Sequence, residues 1–434
     1  TGTVDWQTGS IKTATFTAVS GEGYFCNTTA GSFEVDLPAG TAGAIVSVQD
    51  YANTFDSNGL TIDPNGTEKI NGGEAGGAVT LTTEGEGLTL VYIDSTIGWR
   101  SVQDNAFADV PSNYVAATGG TEVTCGDFKT HIFTGPGTFT VTNGGNACGS
   151  NTVDYLVVAG GGSGSAYGST NQGLGGGGAG GFRLSNSYSL PAPTTSPLAN
   201  PTGLPVSVQG YPITVGAGGD APNLPGPCNS QSGAAGSNSI FSTITSAGGG
   251  YDDATTCGAA VAGGSGGGGG RGNSTTQTGG AGNTPPVSPS QGNPGGGGTP
   301  MPAQGPPAPH PSRNGGGGGG AGATGGSGGV GSAGGGAVGS YIAPGFVGPT
   351  APSYGTTGPV SSTRYFAGGG GGSGGTGGQP GGSGGGGNGR QSASGNAGDA
   401  NTGGGGGGSN NTPYPGNGGA GGSGIVMIRY KFQN

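Results

Sequence analysis

The carboxylates are the first side chains in this sequence that could carry out chemistry. Two acidic pairs, Glu84 with Glu86 and Asp252 with Asp253, stand close together along the chain. Glycoside hydrolysis uses two carboxyl groups about 5–10 Å apart, one as the acid and the other as base or nucleophile. Acidic residues among Gly and Thr are also typical of surface turns. We interpret both pairs as surface turn residues rather than as a hydrolytic site.

Histidine chemistry is equally limited, because the chain holds only His131 and His310. His131 lies in a strand-like stretch and His310 between two prolines, so a His-based catalytic triad is not expected. Gly-x-Gly-x-x-Gly patterns are abundant, but 115 of the 434 residues are glycine and such patterns then arise by chance. None ends in the Gly-Lys-Ser/Thr of a phosphate-binding loop. The sequence therefore predicts a protein without catalytic residues, without a cofactor and without enzymatic activity.

The five cysteines lack both the CxxC spacing and the neighbouring histidines of a zinc site, so no metal is expected. Cys125 with Cys148, and Cys228 with Cys257, enclose loops of similar length. We predict a disulfide in each pair and a free Cys26. Five unpaired thiols are the alternative for a particle that assembles in a reducing cytosol.

Composition divides the chain near residue 150 and excludes several kinds of partner. Residues 1–150 hold 24 glycines and four Lys and Arg against 16 Asp and Glu, a formal charge of −12; the remainder holds 91 glycines and a charge of +2. The net charge of −10 disfavours nucleic acid and anionic membranes, which need clustered Lys and Arg. No run of about 20 apolar residues predicts a membrane span. Thr1 opens in polar sequence without a signal-peptide pattern, as expected of a processed chain or part of a longer one.

Short apolar stretches separated by Gly, Asn and Pro turns indicate β-structure in the first quarter of the chain. Strands spaced at about ten residues are typical of a sandwich or barrel-like module. The predicted strands cover residues 13–19, 23–27, 32–37, 45–50, 60–62, 78–82, 88–93 and 99–102.

A linker over 110–120 leads to a second β segment, 122–143, in which residues 138–142 alternate as a half-buried strand should. The apolar runs 153–159 and 424–432 then flank the glycine-rich segment, and we predict that they pair and close that domain.

Between these runs, pure glycine tracts recur at irregular intervals. The usual interpretation is a flexible linker, but apolar β-like stretches lie between the tracts and a buried strand clamps each end. Polyproline-II-type helices leave every backbone N–H and C=O free, and glycine lets such helices approach and hydrogen-bond laterally. We therefore predict ordered polyglycine-II helices. Collagen is excluded because the strict Gly-X-Y period is missing.

Two parts of the chain resemble known phage families. Residues 21–31, 48–56 and 88–99 resemble a β-module of tail fibres from marine tailed phages. The rest is similar to the glycine-rich domain of phage tail proteins and adhesins, in segments 154–162, 175–183, 213–219 and 421–430. The resemblance implies a virion tail fibre that is a homotrimer, joins other tail or fibre proteins on its N-terminal side, and binds a host outer-membrane protein or surface polysaccharide without inserting into the membrane.

Three loops interrupt the glycine tracts at 299–313, 341–366 and 409–416. Aromatic rings give a large contact area at low entropic cost, which favours them in binding surfaces. The candidate receptor-binding residues are Met301, His310, Tyr341, Phe346, Tyr354 and Tyr414. We expect Met301, Tyr354 and Tyr414 to be exposed, whereas Tyr365 and Phe366, beside a glycine tract, could equally form a small core.

The sequence as a whole predicts an all-β protein with almost no α-helix. Its parts are a β-sandwich-like fibre module at 1–108, a linker and β connector at 109–150, and a glycine-rich tip at 151–434. The expected function is receptor binding by the tip. A purely structural fibre or decoration protein is the alternative, and an ice-binding polyglycine bundle is a third possibility.

Overall fold

A computed structural model describes residues 4–102, 112–146, 149–167, 173–191, 194–223, 230–254, 259–270, 277–299, 314–375, 377–410 and 416–433. Two compact units make up the chain: Thr1–Tyr114 with Gly145–Asn151, and Val115–Gly144 with Thr152–Asn434. Nearly all regular structure is β, as predicted, and two short 3-10 helices, Pro344–Phe346 and Gly348–Ser353, are the helical elements of the described residues. No helix among those residues has the length and apolar character needed to cross a bilayer.

The first unit contains nine strands that match the eight predicted ones closely. They are β1 (Asp5–Trp6), β2 (Phe16–Thr17), β3 (Glu22–Cys26), β4 (Phe33–Asp36), β5 (Ile45–Asp50), β6 (Leu60–Asp63), β7 (Val79–Leu81), β8 (Gly87–Asp94) and β9 (Gly98–Ser101). Two sheets form, in the orders β1-β3-β5-β8-β9 and β2-β4-β6-β7. One apolar core contains side chains of both sheets, including the fully buried Leu60 and Trp99, together with Phe55 from the loop between β5 and β6.

The path of the chain through these two sheets differs from that of an antiparallel sandwich. From β1 to β6 the chain changes sheet at every strand, and β1, β3 and β5 run parallel, as do β2, β4 and β6. Gly23 lies beside Ser47, and Phe33 beside Leu60. Strands β1 to β6 therefore form a two-sheet parallel β-helix, and the antiparallel strands β7, β8 and β9 follow it.

The described residues of the second unit form 20 strands around and within the glycine-rich segment. They are β10 (Val115–Thr118), β11 (Thr121–Cys125), β12 (Phe128–Phe133), β13 (Gly137–Gly144), β14 (Thr152–Val158), β15 (Ala166–Tyr167), β16 (Phe182–Ser185), β17 (Ala199–Asn200), β18 (Leu204–Pro205), β19 (Gly210–Thr214), β20 (Ser230–Gln231), β21 (Ser239–Phe241), β22 (Ile244–Ser246), β23 (Ser340–Ile342), β24 (Arg364–Phe366), β25 (Ser373–Gly374), β26 (Gly377–Gly378), β27 (Arg390–Gln391), β28 (Ser409–Asn410) and β29 (Ile425–Lys431). Strands β10 to β13 belong to this unit.

The predicted pairing of the two apolar runs is confirmed. Strand β29 pairs antiparallel with β14, where Leu156 lies opposite Met427, and it pairs with β12 on its other edge. Both faces of this sheet are covered, because Met427 packs in one apolar cluster and Val426 in another. Burial on both faces explains why these strands are continuously apolar instead of alternating. The sheet built on β12, β14 and β29 is called the closing sheet below.

His131 on β12 is a buried polar residue of the closing sheet. Its Nδ1 lies 2.6 Å from the Gly119 carbonyl oxygen, to which it can only donate, and its Nε2 lies 3.0 Å from the Tyr430 hydroxyl. That hydroxyl accepts from the Ala117 N–H, and it donates to Nε2 when the imidazole is neutral. Burial lowers the pKa of His131, although the Gly119 carbonyl and Glu122 oppose the shift.

A pH dependence of stability follows from this lowered pKa. The unfolded chain takes up a proton at the ordinary histidine pKa, whereas folded His131 takes it up only at lower pH, so the free energy of unfolding falls as pH drops below about 6.5. The slope is at most about 1.4 kcal/mol per pH unit. Urea unfolding between pH 7.5 and 5.5 measures it, and His131→Gln should flatten the profile. An unchanged profile in that variant would contradict the neutral, buried histidine.

The glycine tracts form a laterally bonded bundle with a period of three residues. In run 159–165, Ala159 and Gly162 donate to the carbonyls of Gly181 and Gly178, whereas the two residues after each of them donate to other runs. Gly160 and Ser163 donate to Ser237 and Ala234, and Gly161 and Gly164 donate to Gly422 and Gly419. Three bonding directions with three residues per turn are those of a polyglycine-II helix. The prediction of ordered polyglycine-II helices is confirmed.

Run 175–181 lies at the centre of this glycine bundle and bonds to six other runs. Three neighbours accept its N–H groups and three donate to its carbonyls. The bonds are Gly176 to Gly316, Gly177 to Gly406, Gly178 to Gly250, Gly162 to Gly178, Gly268 to Gly176 and Gly370 to Gly177. A Cβ added to Gly177 would overlap the Gly162 carbonyl, so only glycine fits at this position.

Candidate functional site

The glycine bundle has two ends with different structures. At one end, run 175–181 continues into β16 of the closing sheet, and Ala159 donates to Gly181. At the other end, Ser165 donates to Gly175 at 3.4 Å. We call the first the closing end and the second the loop end. A seven-residue run such as 367–373 spans about 19 Å at the polyproline-II rise per residue.

The loop end collects the residues that flank several segments outside the described ranges. Strand β15 precedes 168–172, β20 follows 224–229 and β28 precedes 411–415, and these three strands share one small sheet. In that sheet Ala166 lies beside both Gln231 and Ser409. The sheet therefore holds side by side three points at which the chain enters or leaves an undescribed segment, and these points are called chain exits below.

The flanks of the segment 300–313 lie at the same end. The Thr299 N–H donates to the Asn314 carbonyl at 2.9 Å, so the two flanks meet. Asn314 also bridges to Gly374, and Leu174 bridges to the adjacent Ser373. Two β-bridges to the neighbouring residues Ser373 and Gly374 therefore connect Asn314, which follows Met301 and His310, with Leu174, which follows 168–172.

Asp252 is the polar centre of the loop end. It is fully buried and accepts from Ser165 Oγ at 2.7 Å, from the Gly175 N–H at 2.9 Å and from the Gly270 N–H at 2.9 Å. Burial raises the pKa of Asp252, whereas these three hydrogen bonds favour its ionised form. The expectation of a surface turn residue is wrong for Asp252, because its carboxylate replaces a backbone acceptor inside the bundle. Glu84 does lie in an exposed turn, and the Glu86 carboxylate accepts from the Thr83 N–H.

Removing the Asp252 carboxylate should loosen the loop end. Asp252→Ala leaves the Gly175 and Gly270 N–H groups buried without a partner, at a cost of about 1–3 kcal/mol each. Amide exchange should quicken at Gly175 and Gly270 while Ala159, at the closing end, keeps its protection. Asp399→Ala, which removes an exposed carboxylate of the same unit, is the matched control. Equal exchange in the two variants would show that Asp252 does not organise this end.

The third predicted loop, 341–366, lies at the closing end instead. Strands β23 and β24 pair with Tyr341 opposite Tyr365, and the two 3-10 helices lie between them. The Arg364 guanidinium holds the loop by donating to the carbonyls of Pro352, Tyr354 and Gly355. Two grooves of about 470 and 360 Å³ flank the loop. The three predicted loops therefore do not form one surface.

Burial divides the predicted aromatic residues of this loop. Phe346 is only 2% exposed and packs in the core below the closing sheet, where its carbonyl accepts from Thr130 Oγ1. That burial prevents contact between the Phe346 ring and a receptor, and we withdraw it as a contact residue. Tyr354 is half-buried against the same core, which corrects the expectation of exposure. Tyr365 and Phe366 are core residues, the second of the two alternatives.

Of the remaining predicted residues, some are described by the structure and others lie outside the described ranges. Tyr341 is half-buried at the edge of the smaller groove. Met301, His310 and Tyr414 lie outside the described residues, as do Cys148, Cys228 and Cys257, so both disulfides stay predictions. Cys125 is half-buried and forms no disulfide with a described residue. Cys26 is buried and free, as predicted, and burial raises its pKa to about 12.

One acidic cluster escaped the sequence analysis. Within the described residues, Glu34, Asp36 and Asp63 bring carboxylate oxygens within 4.8 Å of one another in the first unit. Asp63 is 27 residues from Asp36, and only the parallel pairing of β4 with β6 brings them together. Burial and the two neighbouring carboxylates raise the pKa of Glu34. Half-buried acidic groups alone do not define a metal site, and we assign none.

Comparison with known proteins agrees with the glycine bundle. The model of a family described as a glycine-rich domain matches residues 133–431, which include β13 to β29 and all the glycine tracts between them. No curated protein matches the chain. Because the matched region covers more than half of the sequence, the chain belongs to the glycine-rich domain family.

Proposed function

We propose that this protein is a phage tail fibre protein that binds a host surface receptor through the loop end of its glycine bundle. The single observation that carries the proposal is the convergence of chain exits at that end. The flanks of 168–172, 224–229, 300–313 and 411–415 are joined there by β-pairing and β-bridges. Two of these segments contain Met301, His310 and Tyr414.

A rigid support suits such a role because loops held on an ordered scaffold lose less entropy on binding. Run 175–181 makes hydrogen bonds in six directions, and the closing sheet fixes the opposite end of the bundle. The proposed partners are a host outer-membrane protein or surface polysaccharide, other tail or fibre proteins on the N-terminal side, and two further copies of the chain. The proposed location is the tail fibre of the virion.

A binding role without catalysis is part of the same proposal. The buried carboxylate at the loop end, Asp252, already accepts three hydrogen bonds. A fully buried carboxylate whose oxygens already accept three fixed hydrogen bonds is poorly placed to reach a substrate as a base or nucleophile.

Loop replacement tests the proposal. Residues 301–312 and 411–415 are each replaced by a short Gly-Ser linker, which the bonded flanks Thr299 and Asn314 tolerate geometrically. We expect the purified protein to lose its ability to block adsorption of phage to host cells, while its unfolding midpoint stays unchanged. Val208→Ser, at a position 66% exposed between β18 and β19, is the control and should block adsorption normally.

Undiminished competition by the doubly replaced protein would overturn the receptor-binding role. The chain would then be a structural fibre or decoration protein.

A further inference from the structure

A neutral groove of about 360 Å³ lies at the closing end of the glycine bundle. Its lining comes from separate parts of the chain, including Tyr341, Pro359, Pro197, Leu198, Ser290 and Asn293. Among the described residues, no charged side chain lines it. Aromatic and apolar walls with a few polar groups are typical of small-molecule sites, and the volume falls at the lower end of their range.

The Tyr341 ring forms a pre-positioned wall of this groove. Its centroid lies 5.1 Å from that of Tyr365 at an interplanar angle of 41°. Tyr365 is fixed in turn, because its hydroxyl accepts from the Val360 N–H at 3.1 Å and its ring packs closely against Gly358. Burial and the neighbouring Tyr365 raise the pKa of Tyr341, so its hydroxyl stays protonated at neutral pH. A ring held this way offers contact area at little entropic cost.

Asn293 supplies an oriented acceptor. Its Nδ2 donates to the carbonyls of Gly320 at 3.0 Å and Ala321 at 2.9 Å, so both amide hydrogens are used. The amide is therefore fixed, and Oδ1 is the atom left to accept a hydrogen bond from a ligand.

We propose that this groove binds an uncharged saccharide. The electron-rich face of an aromatic ring attracts the polarised C–H groups of a sugar ring. A sugar hydroxyl can donate to Asn293 Oδ1, whereas a polyproline segment has no N–H to offer there. The absence of lining charges matches a neutral ligand and disfavours a uronic acid or a phosphorylated sugar, whose charge would lose its hydration without a partner.

The site is separate from the loop end. Run 367–373 follows directly after Phe366, whose partner Ser340 lines the groove, and it ends at Ser373, which bridges to Leu174 at the loop end. The groove would thus add a glycan contact about 19 Å from the proposed receptor surface. The two proposals can fail independently, since one is tested by cell adsorption and the other by sugar binding.

The experiment uses the full chain and saturation-transfer NMR with maltose, cellobiose and N,N′-diacetylchitobiose as neutral probes, and a hyaluronan tetrasaccharide as the charged probe. At least one neutral disaccharide should receive saturation and the charged probe should not. Tyr341→Leu keeps apolar volume without a π-face and should weaken binding about tenfold or more, whereas Tyr341→Phe should stay within about threefold. Tyr51→Ala removes an exposed ring of the first unit and should leave binding unchanged.

Three results would each overturn the proposal: no saturation of any neutral disaccharide, equal binding by wild type and Tyr341→Leu, or preferential binding of the charged probe. Decaproline is included as a further probe. Its binding at Tyr341 in place of the sugars would assign the groove to a protein partner and reject the saccharide.

Discussion

Deleting residues 425–434 is expected to leave the glycine-rich unit unfolded while the first unit keeps its structure. The deletion removes β29, which lies between β12 and β14 in the closing sheet. Five of its apolar side chains, Ile425, Val426, Met427, Ile428 and Tyr430, are completely buried. Each contributes about 1.5–3 kcal/mol through burial. Their sum is comparable with the whole stability of a domain, about 5–15 kcal/mol.

Two measurements separate the units in this experiment. Amide exchange should show the glycine runs losing protection, because without β29 the closing sheet no longer joins the two ends of the glycine-rich segment. Both tryptophans of the chain, Trp6 and Trp99, lie in the first unit, and Trp99 is fully buried there. The tryptophan fluorescence transition should therefore stay at its wild-type midpoint.

A chain that ends at Phe432 is the matched control, since it keeps every residue of β29. Glycine runs that stayed protected in the 425–434 deletion would contradict the closing role of this strand.

Gly177→Ala and Gly329→Ala should change stability in opposite directions. Gly177 lies at the centre of the glycine bundle, where its N–H donates to Gly406 at 2.8 Å and its carbonyl accepts from Gly370 at 2.9 Å. The added Cβ would meet the backbone of Gly162, which cannot move without breaking other bonds of the bundle. Overpacking in a close-packed interior costs about 1–3 kcal/mol and more against rigid backbone, so we expect a loss of at least about 3 kcal/mol.

Gly329 is the control because a Cβ there meets nothing within 4 Å. Replacing a glycine with alanine in an unstrained open position lowers the entropy of the unfolded chain and stabilises by about 0.4–1 kcal/mol. Urea unfolding followed by amide exchange of the glycine-rich unit measures both variants. If Gly177→Ala unfolds at the wild-type urea concentration, the six-neighbour packing around run 175–181 is wrong.

Local pattern was sufficient to predict the elements that bury side chains. The stretch 45–50 was predicted as a strand and is β5, and alternation over 138–142 corresponds to β13, in which Phe139 and Val141 are buried between more exposed threonines. The pairing of 153–159 with 424–432 followed from two continuous apolar runs at the ends of one segment. In each case the side chains themselves carry the signal.

Partner choice was not predictable in the same way. The local sequence pattern does not distinguish the parallel β-helix of the first unit from an antiparallel sandwich. A strand such as β3 or β5 shows the same apolar alternation whether its neighbour is parallel or antiparallel. Glycine tracts carry even less information about which runs are neighbours, because a residue without a side chain has nothing that distinguishes one partner run from another. The sequence predicts Phe346 and Tyr354 as receptor-binding residues of a loop, but the loop folds back onto the closing sheet and buries Phe346.

The sequence by itself determined that this chain is all-β, that its glycines are ordered and that two terminal strands of the segment close it, because burial and glycine spacing are local properties. Only the tertiary structure decided that Asp252 is buried, that loop 341–366 lies at the opposite end from the flanks of 300–313, and that each glycine run has its particular neighbours. Those features depend on where backbone N–H and C=O groups meet in space, and backbone groups are the same at every residue.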